Sequence, residues 1–440
     1  MKMRGRNGAS SVFWDRGSDA DAATRRGAPP SWDEWVTGAA QASAYGDERD
    51  ARARVRTLTD HALRGGAGEL SDTLGDKLVA AVAGCWQRGW QPADLTHVIG
   101  RQLKADHKKV LADVVALDAV TYVYSTHADP GWLAQVDAVT PDVAPPDRHG
   151  LLTHWTEAHY DTESAIATAV ETLGLLWRLP TQPRLCPPPS EWGHTPRSAG
   201  PADQPSAARA ADPKVTQRVR ALLAKAESTD FPEEAEAFTA KAQELIARHA
   251  IDLAMLEAGA EQPGRGTAGR RLLVDDPYAK AKSLLLNEIV AANRCSCVWH
   301  PDLSISTVFG QTGDLDAVEL LFTSLLTQAT ASMVTAGRSL GASGRERSFR
   351  QSFLVAFASR IGERLQEATA SAVDAARERH GDDVLPVLAN SEAAAEAART
   401  EAFPRLRTQR ISTSNYHGWI AGQAAADAAR LGPDAAINAG

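Results

Sequence analysis

The sequence predicts a mainly α-helical protein of the α+β class, with a small antiparallel β element. Apolar residues recur at helical spacing through most of the chain. Two short segments near residue 300 have the composition and flanking turn residues of strands. Hydrophobic residues make up 43% of the 440 positions, which is enough for packed cores in two or three domains.

The first part of the chain is predicted to be a disordered segment followed by an all-helical module. Residues 1–30 are rich in Gly, Ser, Asp and Arg, a composition typical of disorder. In residues 31–180, Ser71-Asp72 is expected to cap a helix that stops near Gly89, and Pro92 is expected to begin the next one. Nine of the eleven tryptophans lie before residue 200, which sets this module apart from the rest.

A proline-rich linker and a helical hairpin are predicted next. Residues 181–213 contain eight prolines, which favour an extended linker. In residues 214–258, Val215, Val219 and Leu223 share one helical face, and a second apolar stripe follows Pro232. Ile251-Asp252 is expected to begin a short third helix. A hairpin of this size cannot bury enough apolar surface to be stable alone, so it should dock on residues 271–431.

The hairpin carries a specific run of residues: Leu222-Leu223-Ala224-Lys225-Ala226-Glu227-Ser228-Thr229, Phe231-Pro232, Glu234-Ala235-Glu236-Ala237, Lys241-Ala242-Gln243-Glu244-Leu245, His249 and Ile251-Asp252. This run resembles the DUF2786 family, an uncharacterised family of bacteria and phages, over about a tenth of the chain. The resemblance implies a bacterial protein, and it implies no catalytic residue.

Residues 271–431 are predicted to form an α+β C-terminal module. Two short strands are expected at Cys295–His300 and Ser304–Gly310, joined by a tight turn. A third short strand is expected at Val384–Leu388. The predicted helices of this module cover Tyr278–Ala292, Gly313–Ala336, Arg345–His380, Ser391–Ala402 and Tyr416–Leu431.

The strongest candidate site is the basic beginning of the long helix, from Arg345 to Arg364. Its candidate anion-binding or nucleic-acid-binding residues are Arg347, Arg350, Arg360 and Arg364. On a helical wheel Arg360 and Arg364 fall inside the apolar stripe, where an unpaired guanidinium costs several kcal/mol. Their partner is either a carboxylate of another helix, which is the favoured interpretation, or a phosphate or carboxylate ligand.

Small residues recur four apart near the end of the chain, at Gly418, Gly422 and Ala426. The pattern predicts that another helix approaches closely at this face. Ser412–Asn415 precedes the helix, and its exposed N–H groups could instead hold an anion if the arginine helix lies alongside.

No metal or cofactor is expected. Cys295, Cys297 and His300 supply three potential zinc ligands, whereas a structural zinc site needs four, so buried strand residues are the favoured interpretation. Gly264–Gly269 has the letters of a dinucleotide-binding loop, but it follows a helix and precedes a possible strand, the reverse of the required order. No phosphate-binding P-loop occurs.

Charge and cysteine usage predict a cytoplasmic protein without a membrane span. The formal net charge of -8 gives no global attraction to nucleic acid or membrane, although local basic patches remain possible. Four scattered cysteines do not form a disulfide framework, and the N-terminus lacks the apolar core of a signal peptide.

Two functional classes follow from these observations. The favoured one is a non-enzymatic interaction or scaffold protein with a protein or nucleic-acid partner, the latter bound through Arg345–Arg364. The alternative is an enzyme of unrecognised type that binds an anionic substrate with these arginines and moves protons with Glu234 or His249. No catalytic motif decides whether the protein is an enzyme.

Overall fold

The computed structural model describes residues 31–123, 125, 127–140, 147–157, 161–192, 213–228, 232–258, 267–341, 344, 346–407 and 414–428. It is mainly helical with one small three-stranded antiparallel sheet, which confirms the predicted fold class. The predicted disordered segment 1–30 and residues 193–212 of the predicted linker lie outside the described residues.

The first half of the chain consists of helices, several of which begin at a capping side chain. They are α1 (Trp32–Ala44), α2 (Glu48–His61), α3 (Ala67–Gln87), α4 (Pro92–Gln102), α5 (Ala105–Ala119), α6 (Pro130–Val139), α7 (Leu151–Glu157) and α8 (Thr162–Arg178). Ser31 and Glu34 form a reciprocal capping box at α1, and Asp161 accepts a hydrogen bond from the Ser164 amide at α8.

The helix expected to begin at Ser71-Asp72 begins earlier, so that prediction is wrong. Helix α3 runs through both residues from Ala67. Ser71 is buried within it, and its hydroxyl accepts a hydrogen bond from the Leu152 amide at 3.1 Å. A tertiary partner therefore satisfies the hydroxyl that sequence reasoning assigned to a cap. The predicted stop near Gly89 is confirmed, because α3 ends at Gln87.

The hairpin is formed by α9 (Pro213–Ser228) and α10 (Pro232–Ala258), which pack on each other. The short third helix predicted at Ile251-Asp252 is wrong, because α10 continues unbroken to Ala258. Ile251 is fully buried, and it packs with Ala376 and Val384. Its burial extends the apolar stripe of α10 by another turn.

The sheet contains β1 (Thr267–Leu273), β2 (Ser296–His300) and β3 (Ile305–Gln311), with β3 in the centre. In the register, Leu273 is opposite Ile305 on one side of β3 and Ser296 is opposite Phe309 on the other. The two strands predicted near residue 300 are thus confirmed to within one residue at each end.

The remaining helices are α11 (Ala279–Ala292), α12 (Thr312–Ser339), α13 (Arg347–His380), α14 (Val384–Ala402) and α15 (Tyr416–Ala428). Both α12 and α14 contact β3, and six of the seven β3 residues are buried. Consecutive side chains of a strand point to opposite faces, so both faces of β3 are covered, which explains why this strand is almost continuously apolar or small.

The strand predicted at Val384–Leu388 is wrong, because these residues form the first turns of α14. Val384 and Leu388 are both buried in one cluster with Ile251 and Ala376. Residues four apart share one face of a helix, so this spacing fits a helix as well as a strand. Pro386 is tolerated because the first turn needs no backbone N–H donor.

The chain forms two compact units. One contains residues up to 83 together with 105–120 and 142–179, and the other contains 84–104, 121–141 and residues from 180 onward. The boundaries predicted from the sequence at 31–180, 181–213, 214–258 and 271–431 divide the chain differently and stay a prediction.

The core of the second unit joins the hairpin to the C-terminal helices. Val219 and Leu223 of α9 and Ala242 and Ile246 of α10 are buried in one cluster with residues between 272 and 426. This confirms that the hairpin docks on the downstream segment through its apolar stripes.

Helix α12 is long and apolar enough to cross a membrane by length and composition. Its apolar residues, among them Leu321, Phe322 and Leu325, also belong to the core of the second unit. The core helix of a folded domain has the same length and composition, so this helix does not decide between a membrane location and an aqueous one.

Candidate functional site

Helix α13 runs through the core of the second unit and carries the predicted arginines. Phe349, Phe353 and Phe357 are buried at 1% exposure or less and follow one another along the helix, which packs against α11 and α15. The apolar stripe fixes the rotation of the helix. That rotation decides which arginines reach solvent and which face a neighbouring helix.

Helix α15 crosses α13 at very short range because its facing residues are glycines. A Cβ atom at Gly418 would overlap the carbonyl oxygen of Phe349, and one at Gly422 would overlap that of Phe353. The close approach predicted from Gly418, Gly422 and Ala426 is therefore confirmed, and the helix that approaches is the arginine helix itself.

The two C-terminal arginines of the candidate site bind α15. Arg360 donates to Asp427 and, at 2.7 Å, to Glu363 of its own helix. These hydrogen bonds raise the pKa of Arg360 above its usual range. Arg364 is only 8% exposed and donates to the carbonyl oxygens of Ala426 and Asp427. Arg364 thus provides a hydrogen-bond donor to carbonyls in the last turn of α15, which have no N–H donor inside the helix.

The two N-terminal arginines of the candidate site have a different environment. Arg347 is exposed and Arg350 is partly exposed. Neither forms an ion pair or a hydrogen bond through its side chain with another residue that the structure describes. The sequence-predicted set of four arginines is thus divided, and its role in binding an anion or a nucleic acid stays a prediction.

The start of α15 is capped by its own residues and by α13. The Asn415 side chain accepts from the Gly418 amide at 2.8 Å, and the Asn415 amide donates to Ser352 at 3.1 Å. The Asn415 side-chain amide lies 3.4 Å from the Ser348 hydroxyl. These contacts use groups that the alternative interpretation assigned to an anion.

The hairpin docks on α13 through a buried amide as well as through apolar residues. Gln243 of α10 is fully buried and donates to Thr369 of α13 at 3.3 Å. Asn293 lies beside it and donates to the Ile289 carbonyl at 2.8 Å. On the outer side of the hairpin, the Lys225 ammonium lies 5.5 Å from the Phe238 ring centroid.

Comparison with known families identifies a family to which this docked hairpin is similar. Residues 214–253 match the family model described as protein of unknown function (DUF2786). The hairpin is a DUF2786 segment. No curated protein and no solved structure shows significant similarity to the chain.

The DUF2786 segment holds two residues that the enzyme alternative assigned to proton transfer. His249 is partly buried near the middle of α10, where the helix continues for more than two further turns. His249 therefore lies within α10 and not at its C-terminus. The side chain of Glu234 lies outside the described residues.

Downstream of the DUF2786 segment, Cys295 is buried and Cys297 is partly buried. Burial raises the pKa of Cys295 well above its usual range and that of Cys297 to about 12. Burial also lowers the pKa of His300 to about 4, with a smaller contribution from the charge of Arg271.

Neighbouring side chains contact two of these three residues. The Cys297 thiol lies 3.5 Å from the Asn287 side-chain oxygen, and His300 Nε2 lies 3.3 Å from the Thr307 hydroxyl. Within the described residues, no group of three or more His, Cys, Asp or Glu side chains has an arrangement that could hold a metal ion.

Sequence reasoning missed a buried ion pair in the second unit. Arg271 of β1 donates to Asp94 of α4 at 2.6 Å and to the Pro183 carbonyl at 2.6 Å, with both charged side chains almost fully buried. Nearby, His97 contacts the Ser304 carbonyl at 3.1 Å. The pair joins positions 177 residues apart, so no local pattern could reveal it.

Proposed function

We propose that the protein is a non-enzymatic interaction protein that associates with nucleic acid through Arg347 and Arg350. The observation that carries this proposal is the division of the arginines on α13. Arg360 and Arg364 are engaged by α15, whereas Arg347 and Arg350 face partly or fully into solvent. Arginine in solvent can bind phosphate in a bidentate fashion.

The surrounding sequence supports a local positive field despite the overall negative charge. Residues 320–362 contain a single carboxylate, Glu346. The same stretch contains five arginines, at positions 338, 345, 347, 350 and 360, and among them Arg360 is paired with Asp427 and Glu363. A cationic stretch in a chain of formal net charge -8 attracts polyanions locally, although the whole protein does not.

The enzyme alternative receives less support from the described residues. It requires the arginines to converge on one substrate, but Arg360 and Arg364 donate to groups of α13 and α15. A cytoplasmic location belongs to the proposal and is consistent with the four cysteines, none of which forms a disulfide.

Nucleic-acid binding by the full chain tests the proposal. Anisotropy of short labelled DNA and RNA is measured against salt for the wild type and for the double variant Arg347→Gln/Arg350→Gln. Log affinity falls linearly with log salt, and loss of two phosphate contacts should make this slope shallower by about 2.

A matched control lies on the same helix. Arg377→Gln/Arg379→Gln removes the same charge from exposed residues that pair with Asp382 and Asp252. It should leave the salt slope unchanged. The proposal fails if the wild type binds neither DNA nor RNA at low salt, or if both double variants lower the slope equally.

A further inference from the structure

Helix α9, which lies within the DUF2786 segment, has two faces of different composition. Val219 and Leu223 are buried in the core of the second unit at 2% and 3% exposure. The exposed positions of the helix are Lys214, Gln217, Arg218, Arg220, Ala221, Ala224 and Lys225. The apolar face is therefore occupied by the protein itself, and the outer face is polar.

The outer face of α9 carries cations and no carboxylate over most of its length. Residues 213–226 contain four cations and no carboxylate, and the first acidic residue of the helix is Glu227. Arg218 and Arg220 have no acidic residue three or four positions away on their own helix, and neither forms an ion pair with a residue that the structure describes. Among the described residues, no carboxylate offsets these two charges.

Helix α2 shows that such an arrangement is not a general property of arginine-bearing helices in this protein. Arg52 pairs with Glu48 at 2.7 Å, and Arg56 lies 3.5 Å from Glu163. Arg54 pairs with Asp50 at 2.7 Å. Carboxylates at helical spacing offset most of the positive charge of α2.

We propose that the outer face of α9 binds the phosphate backbone of duplex DNA, with Arg218 and Arg220 as the principal contacts. The proposal extends the proposed function to a second surface and rests on it for the class of partner. Arg218 and Arg220 lie two positions apart and project about 160° apart across the outer face. They therefore lie on its two edges, where a helix in the major groove would meet the phosphates of the two strands.

The chemistry of the face favours a duplex over a single strand. Proteins that hold single strands stack bases on aromatic rings, and none of the seven exposed residues of α9 is aromatic. Ala221 and Ala224 lie between the cations and allow a close approach of the helix. The major groove of B-DNA admits a helix, whereas that of an RNA duplex is too narrow.

A membrane surface fits the face less well. Amphipathic helices bind membranes by inserting an apolar face among the lipids. In α9 that face is already buried, with Val219 and Leu223 in the protein core. Only electrostatic attraction would remain for a lipid surface.

The full chain with Arg218→Gln/Arg220→Gln tests the proposal. Arginine and glutamine have similar helix propensities, so the fold is retained, as circular dichroism and thermal melting can verify. Anisotropy with labelled duplex DNA should show an affinity loss of about tenfold per arginine at about 0.1 M salt, and a salt slope lower by about 2. Single-stranded DNA and duplex RNA should bind the wild type more weakly than duplex DNA.

The matched control is Arg52→Gln/Arg56→Gln in α2, which removes two exposed, ion-paired arginines. It should bind duplex DNA as the wild type does. An equal loss in this control, or equal wild-type affinity for single strands, overturns the assignment of α9 to duplex DNA.

The variant of α13 separates this proposal from the proposed function. If Arg347→Gln/Arg350→Gln weakens binding and Arg218→Gln/Arg220→Gln does not, the role of α9 is overturned and the proposed function stands. If only Arg218→Gln/Arg220→Gln weakens binding, the role of α9 is supported and the proposed contacts of Arg347 and Arg350 are overturned. Absence of any nucleic-acid binding by the wild type overturns both.

Discussion

The two ends of the arginine-bearing part of α13 differ in what surrounds them. At the beginning of the helix, Arg347 and Arg350 reach solvent and have no side-chain partner among the described residues. About three turns later, Arg360 and Arg364 bind residues of α15. The residue type is the same, and so is the helix.

The neighbouring helix therefore decides the role of each arginine. Helix α15 contacts α13 closely at Gly418 and Gly422, and its last turn ends beside Arg364. There the carbonyls of Ala426 and Asp427 offer acceptors to a guanidinium. At the beginning of α15, Asn415 and the serines of α13 pair with each other, and the arginines are not used.

The largest expected effect is that of separating the two helices with Gly422→Val. Its Cβ would overlap the Phe353 carbonyl oxygen, a backbone atom that cannot move without shifting a helix. We expect a loss of about 3 kcal/mol in the free energy of unfolding. Urea denaturation of the full chain, followed by circular dichroism, measures it.

This variant also sharpens the comparison between the two ends of α13. With α15 displaced, Arg360 and Arg364 lose their partners on α15, and Arg360 keeps only Glu363. Both become more available to anions, so nucleic-acid affinity should rise where the protein remains folded. The control is Gly381→Ala beyond the end of α13, where no atom lies near the added Cβ and only the positive φ of 75° adds strain. If Gly422→Val had the same free energy of unfolding as the wild type, the close packing of these helices would be contradicted.

A smaller loss is expected for Arg364→Met, which keeps much of the side-chain volume and removes the charge. The carbonyls of Ala426 and Asp427 lose their guanidinium donor in a largely buried place. Unsatisfied buried acceptors cost about 2 kcal/mol. Urea denaturation measures the loss, and Arg347→Met is the matched control at an exposed position, with an expected change within about 0.5 kcal/mol. Equal losses in the two variants would remove the distinction between the two ends of α13.

The sequence was sufficient for the parts of the fold that depend on local periodicity. The strands near residue 300 follow from their composition, and the long helix α13 follows from its run of apolar and helix-forming residues. Val384–Leu388 was predicted to be a strand but forms a helix, because residues four apart share one face in both structures. Ser71 was misassigned because its partner, the Leu152 amide, comes from a distant helix.

The candidate site could be predicted only in part, for the same reason. The helical wheel required partners for Arg360 and Arg364, and the small residues of α15 required a helix at close range. Periodicity does not identify which helices meet, so the choice between an internal partner and a ligand needed the tertiary contacts. The Asp94–Arg271 pair left no local signal at all.

The smallest effect on the free energy of unfolding is expected for Arg360→Gln. This variant tests whether an arginine stabilises the protein through its contact with α15 or through its burial. Arg360 has two carboxylate partners, Asp427 and Glu363, yet its side chain remains 34% exposed. Exposed ion pairs contribute about 0.5 kcal/mol, because solvent screens the charges and two side chains lose freedom. We therefore expect a loss of that size in urea denaturation, and a loss that shrinks further in high salt. A loss as large as that of Arg364→Met would mean that the ion pair itself, rather than burial of the guanidinium, holds the end of α15 on α13.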